Sequence, residues 1–275
     1  MSVALIAFLV SIGAGGFGSM VGIGGGLVIV PLLSVALGYD VKVAIAASLI
    51  GVIATSLSAS PRYIKSGIAD RRLGLLLLVA AAIGGLAGGI TAGFLEGRIM
   101  SLLFAMLLAV VALRMLWQIR HPVTPPPADE DGNGSGFVSS YVEPTTCDEV
   151  TYRAHRVLPG ALVSFVAGNV SGLLGVGGGV INVPTMNVLM HVPIRVATTT
   201  STYMLAATAT ASAVVYLASG QLDPLLAAPV ALGVIVGARL GARLSMRLSQ
   251  DTLRLAFVAV AAIFAVSMFL EFLEL

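Results

Sequence analysis

The sequence predicts an all-α polytopic membrane protein made of two inverted-topology repeats. Each repeat is expected to hold about three full spans plus a glycine-broken helix or re-entrant hairpin, which makes about eight to ten membrane segments in total. Three observations predict this fold class: an apolar composition, a long motif that occurs twice, and an uneven placement of basic residues along the chain.

The composition excludes a soluble fold. Of the 275 residues, 57% are hydrophobic and 10% are charged, and the mean hydropathy is +1.01. A soluble protein carries roughly a quarter charged residues, whereas the apolar runs here reach the ~20 residues that cross a bilayer. We expect a multi-pass protein of the cell (inner) membrane, surrounded by lipid. Its N-terminus, MSVALIAFLV, lacks the basic region of a signal peptide and is expected to be retained.

Residues suited to metal or cofactor binding are scarce. Cys147 is the single cysteine, which excludes an intrachain disulfide and a cysteine metal cluster. The three histidines, His121, His155 and His191, are scattered without ligand spacing. We therefore expect no cofactor, no metal and no nucleic-acid partner.

An internal repeat spans most of the chain. GIGGGLVIVP (22–31) recurs 153 residues later as GVGGGVINVP (175–184), and the same offset pairs Ser48 with Ser201 and Asp70 with Asp223. One register kept over so many glycines and polar residues indicates a duplication. We predict a first transmembrane repeat over 1–119, a cytoplasmic polar linker over 120–156 and a second transmembrane repeat over 157–275.

Each repeat contains five apolar segments. The second segment of each is short: fifteen helical residues reach only ~22 Å, less than the hydrocarbon thickness, so it is predicted to be a half-helix or re-entrant piece. Pro31 and Pro184 are expected to bend or end it. The predicted segments are 2–21, 24–38, 41–60, 72–94 and 98–118, then 157–174, 177–191, 194–217, 225–246 and 252–272.

The central stretch 124–150 is unlike either repeat. It is rich in proline, glycine and acidic residues, which is typical of a flexible extramembrane linker. A plain tether is the simpler interpretation, and a regulatory role is the alternative.

Basic residues predict that the repeats are inverted. The loop between the third and fourth segments carries Arg62, Lys65, Arg71 and Arg72 in the first half, whereas its counterpart, 218–224, carries none. The next loop reverses this pattern, with Arg243, Arg247 and Arg254 in the second half against Glu96 and Arg98 in the first. Because basic loops stay in the cytoplasm, equivalent loops then lie on opposite sides of the membrane, and both termini are extracytoplasmic.

Inverted repeats with a glycine-interrupted helix at the same position are typical of secondary transporters, whose substrate site lies near the midplane where the repeats meet. The alternatives are a structural membrane protein and an intramembrane enzyme. An enzyme is disfavoured because the chain has no HExxH motif, no GxSxG with a partner histidine and no acidic pair within a span.

The glycine motif has three possible roles. A nucleotide-binding loop is excluded because no Lys-Ser/Thr follows the glycines. Helix packing is plausible but better suits the glycines four apart, Gly84/Gly88 and Gly237/Gly241. A helix break explains more, since it exposes unpaired N–H groups at the positive end of a helix dipole, which attracts anions. Two such ends could face one another as an anion cradle.

Hydroxyl and amide groups within the spans complete the predicted site. Ser48 and Ser201 are equivalent by the repeat and are the favoured pair, with Thr200 beside them. Most other Ser and Thr residues of 195–212 are expected to bond to preceding carbonyls of their own helix. Asn182 breaks the symmetry, because the first repeat has Ile29 there. The predicted substrate-binding residues of the motif are Gly22, Gly24, Gly25, Gly26, Gly175, Gly177, Gly178 and Gly179.

Charged residues near the spans have two interpretations. Arg239, Arg243 and Arg247 lie four residues apart on one helix face. The last two are expected to anchor the helix at the interface, and Arg239, the deepest, is kept as a substrate-binding candidate. Asp70 and Asp223 open the fourth segment of each repeat and are expected to be helix caps rather than proton carriers.

These motifs resemble the sulfite exporter TauE/SafE family, also called the TSUP family of membrane transporters. The resemblance lies in GxGGG-(x)4-P at 22–31 and 175–184, the small-residue and hydroxyl pattern at 44–49 and 197–202, Gly-x-x-Asp at 67–70 and 220–223, and GARLG at 237–241. The first half departs from the last of these motifs, because it reads GGLAG at 84–88 and has no counterpart of Arg239.

The resemblance implies transport of a small sulfur-containing anion: sulfite, thiosulfate, sulfoacetate or another organosulfonate. The residues themselves indicate only a small anion. A coupling proton or sodium ion is an open possibility, and the sequence does not define the oligomeric state. Two further interpretations remain, an anion channel and a membrane sensor or scaffold that does not transport.

Overall fold

The computed structural model describes residues 3–21, 24–65, 67–120, 137–142, 149–245 and 250–274. These residues form ten α-helices and one two-stranded antiparallel sheet. The first half comprises α1 (Val3–Val21), α2 (Gly26–Pro31), α3 (Val41–Lys65), α4 (Arg71–Phe94) and α5 (Gly97–Arg120). The second half comprises α6 (Val157–Leu174), α7 (Gly179–Pro184), α8 (Ile194–Ala218), α9 (Pro224–Ser245) and α10 (Gln250–Glu274).

All ten predicted segments are helical, and the all-α prediction is confirmed. Six helices within the described residues are long and apolar enough to cross a membrane: α3, α4, α5, α6, α8 and α9. Shorter apolar stretches lie at 4–18 in α1 and at 258–273 in α10.

The short helices α2 and α7 have the predicted interruption. Each runs to its proline, Pro31 or Pro184, and continues as a π-helical turn, Leu32–Ala36 or Thr185–Leu189. A proline supplies no N–H and crowds the preceding turn, so the wider π spacing follows it. At about 1.5 Å per residue, 26–36 reaches only about 16 Å, too short to span the hydrocarbon.

Glycines bring the long helices into backbone contact, as predicted for Gly84, Gly88 and Gly237. A Cβ at Gly84 would overlap the Phe165 carbonyl oxygen, and one at Gly237 would overlap that of Ile12. These contacts pack α4 against α6 and α1 against α9. Close approach of this kind is the usual way for helices to associate in lipid.

The helix pairs follow the internal repeat. Helix α1 packs on α9, and its copy α6 packs on α4. Helix α3 packs on α9, and its copy α8 packs on α4. In addition, α3 packs on α8 and α5 packs on α10, so each of these two pairs joins a helix to its own copy. Helices α4 and α8 run in the same direction, because Gly74 lies against Thr200, Gly85 against Ser212 and Gly89 against Val215. The predicted inversion requires that α8 runs against α3, its own copy, with α3 and α4 crossing the membrane in opposite directions.

The linker is more ordered than the sequence predicted. Strands β1 (Phe137–Val142) and β2 (Glu149–Ala154) pair antiparallel, with Phe137 opposite Ala154. Their valines and tyrosines favour strands, and this local preference outweighs the linker-like composition. Residues 121–136 and 143–148, including Cys147, lie outside the described residues.

The hairpin packs on both halves of the protein. Tyr141, Tyr152 and Ala154 are buried together with Leu73 and Leu77 of α4 and with Met190, Val192 and Val196 of the second half. The Tyr152 hydroxyl donates to Asp70 Oδ2 at 2.8 Å, and the His155 N–H donates to the Met190 carbonyl at 3.0 Å. The hairpin therefore connects the two repeats physically as well as along the chain.

Candidate functional site

The two glycine clusters begin α2 and α7 with left-handed backbone conformations. Gly24 and Gly25 have φ of 85° and 81°, and Gly177 and Gly178 have φ of 87° and 73°. Glycine adopts these angles without the steric cost that other residues meet. The predicted helix breaks are therefore located at these residues. Gly22, the first glycine of the motif, lies outside the described residues.

The breaks leave N–H groups at the start of each short helix. The first helical bonds run to the Gly25 carbonyl from Ile29 and to the Gly178 carbonyl from Asn182, at 3.1 Å and 3.0 Å. The N–H groups of Gly26 and Gly179 precede these bonds, and helix geometry gives such groups no acceptor within the helix. Both short helices thus begin with donors and the positive end of the dipole.

The two clusters meet in the interior of the protein. A Cβ at Gly26 would overlap the Gly175 carbonyl oxygen. Gly24 and Gly177 lie against the same two side chains, Val52 of α3 and Leu205 of α8, at distances from 2.7 Å to 3.6 Å between a built Cβ and the nearest atom of each. Val52 and Leu205 are equivalent in the repeat. The glycine breaks therefore adjoin one another between α3 and α8, and both are buried.

Two of the predicted hydroxyl residues already have partners. The Ser48 hydroxyl donates to the Gly175 carbonyl at 2.9 Å and holds the first repeat against the second glycine cluster. Thr200 Oγ1 accepts the Asp70 N–H at 3.0 Å. Other threonines of α8, including Thr198, Thr202 and Thr208, donate to carbonyls four residues earlier, as predicted.

Three buried polar side chains adjoin the second cluster without a hydrogen bond in the described part of the chain. They are Ser171, Asn182 and Ser201, each at most 1% exposed. Ser201 Oγ lies 3.4 Å from a Cβ built on Gly179, and Ser171 Cβ lies 3.5 Å from one built on Gly178. Asn182 is one turn further along α7. Sequence reasoning selected Asn182 and Ser201 but missed Ser171, whose only signal is that its counterpart is Gly18.

Arg239 does not lie with these residues. It is exposed, whereas the other predicted site residues that the structure describes are buried. The buried face of α9, with Val234, Gly237 and Ala238, is occupied by packing, and this turns Arg239 outward. We therefore leave Arg239 out of the candidate site. Arg247 lies outside the described residues.

The two aspartates act as predicted. Asp70 Oδ1 accepts the N–H groups of Arg72 and Leu73 at 3.1 Å and 3.0 Å, which caps α4. Asp223 Oδ1 accepts the Leu225 N–H at 2.9 Å at the start of α9. Such caps satisfy helix donors that otherwise have no acceptor. Across the described residues, no three His, Cys, Asp or Glu side chains come together to hold a metal ion.

Comparisons with known proteins agree with this architecture. The family described as Sulfite exporter TauE/SafE matches residues 7–268. The chain is 29% identical over 227 residues to the "Probable membrane transporter protein YunE" of Bacillus subtilis (strain 168), and the match covers 80% of each chain. No solved structure matches the chain. The chain belongs to the sulfite exporter TauE/SafE family and is a multi-pass membrane transporter.

Proposed function

We propose that this transporter moves a small sulfur-containing anion, such as sulfite, thiosulfate, sulfoacetate or another organosulfonate, by alternating access. The anion binds where the glycine breaks of the two repeats meet. One observation carries the proposal: α2 and α7 begin side by side in the interior, next to buried polar side chains that have no hydrogen-bond partner within the described part of the chain. The family name supports sulfur as the element of the substrate.

The chemistry of the site suits an anion. Peptide N–H groups and hydroxyls donate hydrogen bonds to oxyanions, and the positive ends of short helices favour negative charge. Among the described residues at the glycine breaks there is no lysine or arginine. A site built on neutral donors holds an anion without the strong attraction of a fixed charge, which favours release on either side.

Alternating access follows from the position of the site between repeats. The two glycine clusters lie between α3 and α8, which contact each other directly, while α1 and α6 also pack against the clusters. If the two halves rock about this contact, the site opens first to one side and then to the other. The driving force is the gradient of the substrate or of a coupling proton or sodium ion, since the sequence contains no nucleotide-binding motif.

Flux in proteoliposomes tests the proposal. We expect saturable uptake of labelled sulfite, thiosulfate or sulfoacetate, and acceleration of labelled uptake by unlabelled substrate trapped inside. Protein-free liposomes are the control. Absence of both flux and binding for all of these anions would contradict the proposal, and electrical conductance without saturation or exchange would identify an anion channel instead.

A second test addresses a sensor or scaffold without transport. Deletion of 124–136 removes linker sequence while it leaves both strands of the hairpin in place. A transporter keeps its flux after this deletion. The sensor would be favoured if neither the wild type nor the deletion variant transports an anion and the deletion abolishes a signalling effect.

A further inference from the structure

We infer that the anion is recognised one-sidedly, by Ser171, Asn182 and Ser201 of the second repeat, while the equivalent positions of the first repeat only close the interface. This inference rests on the proposed function and adds which side chains select the substrate. It also assigns a role to Ser171, which lies on α6 rather than on either glycine motif.

The three side chains belong to α7 and to the two helices packed against it, α6 and α8. Ser171 comes from α6 and lies against Gly178; Ser201 comes from α8 and lies against Gly179. Asn182 belongs to α7 itself and donates its backbone N–H to the Gly178 carbonyl at 3.0 Å, so it lies one turn after that glycine. All three are at least 99% buried, and none has a hydrogen-bond partner for the oxygen concerned within the described residues.

Buried polar groups without partners are rare in folded proteins, because each loses its bonds to water and gains none. Three of them around one helix start therefore indicate a ligand that supplies the partners. The two hydroxyls can each donate to an oxygen, and the Asn182 amide can turn to present its NH₂ group. A ligand with several terminal oxygens on one centre, such as a sulfite or a sulfonate head group, can accept from all of them.

The first repeat has no such set. The counterpart of Ser171 is Gly18, where a Cβ would overlap Gly25. The counterpart of Asn182 is Ile29, an apolar side chain that is fully buried. The counterpart of Ser201 is Ser48, and its hydroxyl is already bonded to the Gly175 carbonyl. Where the second repeat has an unpaired polar side chain, the first repeat thus has a glycine, an apolar side chain or a hydroxyl that is already hydrogen-bonded.

Four single substitutions test this division. Ser171→Ala and Ser201→Ala each remove one proposed donor. Ser164→Ala is the matched control, because Ser164 is also on α6, 1% exposed and without a hydrogen-bond partner among the residues that the structure describes, but two turns away. Ser48→Ala probes the first repeat. Each variant is compared with the wild type for the KM of sulfite flux and for thermal unfolding in detergent.

We expect Ser171→Ala and Ser201→Ala to raise the KM for sulfite about tenfold or more, as loss of a hydrogen bond to a charged ligand does. Their unfolding temperatures should stay close to that of the wild type. Ser164→Ala should leave the KM within about twofold. Ser48→Ala should lower the unfolding temperature, since it removes a contact between repeats, and should raise the KM less than Ser171→Ala and Ser201→Ala do.

Rescue by a conservative change separates binding from packing. Ser201→Thr keeps the hydroxyl and should restore most of the affinity that Ser201→Ala loses. Wild-type KM in both Ser171→Ala and Ser201→Ala, or an equal KM increase in Ser48→Ala at unchanged unfolding temperature, would overturn the inference. If the wild type itself neither binds nor transports any sulfur oxyanion, the proposed function fails first and the inference fails with it.

Discussion

Gly178 combines two constraints that glycine alone meets at once. Its φ of 73° is unfavourable for any side chain, and a Cβ there would lie 3.2 Å from the Ala167 carbonyl oxygen, next to Ser171. Gly220 has nearly the same φ, 71°, but nothing lies within 4 Å of its built Cβ. Substitutions at these two glycines therefore distinguish the effect of backbone strain, which both share, from the effect of crowding, which only Gly178 has.

We predict that Gly220→Ala lowers the free energy of unfolding by about 1–2 kcal/mol from the left-handed conformation, and that Gly178→Ala lowers it by at least as much, because its methyl group also crowds the Ala167 carbonyl oxygen. Only Gly178→Ala should also weaken sulfite binding, by about tenfold or more, because the added methyl group crowds the start of α7. Thermal unfolding and flux measurements on both variants check this. Equal affinities in the two variants would show that Gly178 serves packing alone.

At the scale of elements, the helix pairs depend on glycine contacts that leave no room for a side chain. Gly84 of α4 touches the Phe165 carbonyl oxygen of α6, whereas Gly93 at the end of the same helix has nothing within 4 Å. The same arrangement joins α1 to α9 through Gly233 and Gly237. Backbone contact, rather than interlocking of large side chains, is what holds these pairs together.

We predict that Gly84→Val separates α4 from α6 and costs about 1–3 kcal/mol or more in stability, as overpacking does elsewhere. Gly93→Ala should be neutral or stabilising by up to about 1 kcal/mol, because alanine favours the helix. Thermal unfolding in a mild detergent measures both. An unchanged midpoint for Gly84→Val would show that the pair tolerates separation.

The hairpin is a second element, and the hydrogen bond from Tyr152 to Asp70 is a buried polar anchor for it. We predict that Tyr152→Phe, which removes the bond to Asp70, weakens docking by about 1.5–3 kcal/mol, the usual range for a bond to a charged group. Ser140→Ala is the control, since it removes only an exposed bond to Glu149 within the hairpin. Amide exchange in 149–154 should rise for Tyr152→Phe alone. Equal exchange in both variants would contradict the anchoring role.

The hydrogen bond between Tyr152 and Asp70 makes the docking of the hairpin depend on pH. Burial raises the pKa of the Tyr152 phenol above its ordinary value, and the neighbouring Asp70 carboxylate raises it further. The unfolded chain loses this proton above about pH 10, while the docked hairpin retains it. The contribution of docking to stability is therefore complete below about pH 10 and declines as the pH rises towards the folded pKa. Tyr152→Phe should remove this part of the alkaline decline in amide protection.

At the scale of the whole molecule, the repeat and its predicted inversion bear on how the transporter works. Gly67 and Gly220 occupy equivalent loops, with φ of 69° and 71° and open space around each. The basic residues of the first loop predict a cytoplasmic side for it, and their absence from the second loop predicts the opposite side. These two positions are therefore matched reporters of topology.

We predict that Gly220→Cys reacts with a membrane-impermeant maleimide in intact cells, whereas Gly67→Cys reacts only after permeabilisation. Both are made in a Cys147→Ser background, which removes the single native thiol. Labelling of both positions from the same side would show that the repeats have the same orientation, and rocking of inverted halves would then have no structural basis.

The sequence by itself determined the local features: ten helical segments close to their observed ends, the two glycine breaks, the capping aspartates and the family. The helices, the breaks and the caps each depend on information within about 20 residues, such as apolar length, proline and positive-φ glycine, whereas the family depends on short motifs spread along the chain. The two-stranded hairpin was missed because its composition resembles a linker and its stability comes from Tyr152 and the α4 surface.

Only the tertiary structure decided which polar groups are engaged. Ser48 and Ser201 are equivalent in the sequence, yet one is bonded to Gly175 and the other has no partner among the described residues. Arg239 seemed deep along the chain, but the packed face of α9 turns it outward. Partners such as Ser48 and Gly175 are 127 residues apart, and pairing over such a distance is set by helix packing, which local sequence patterns do not encode.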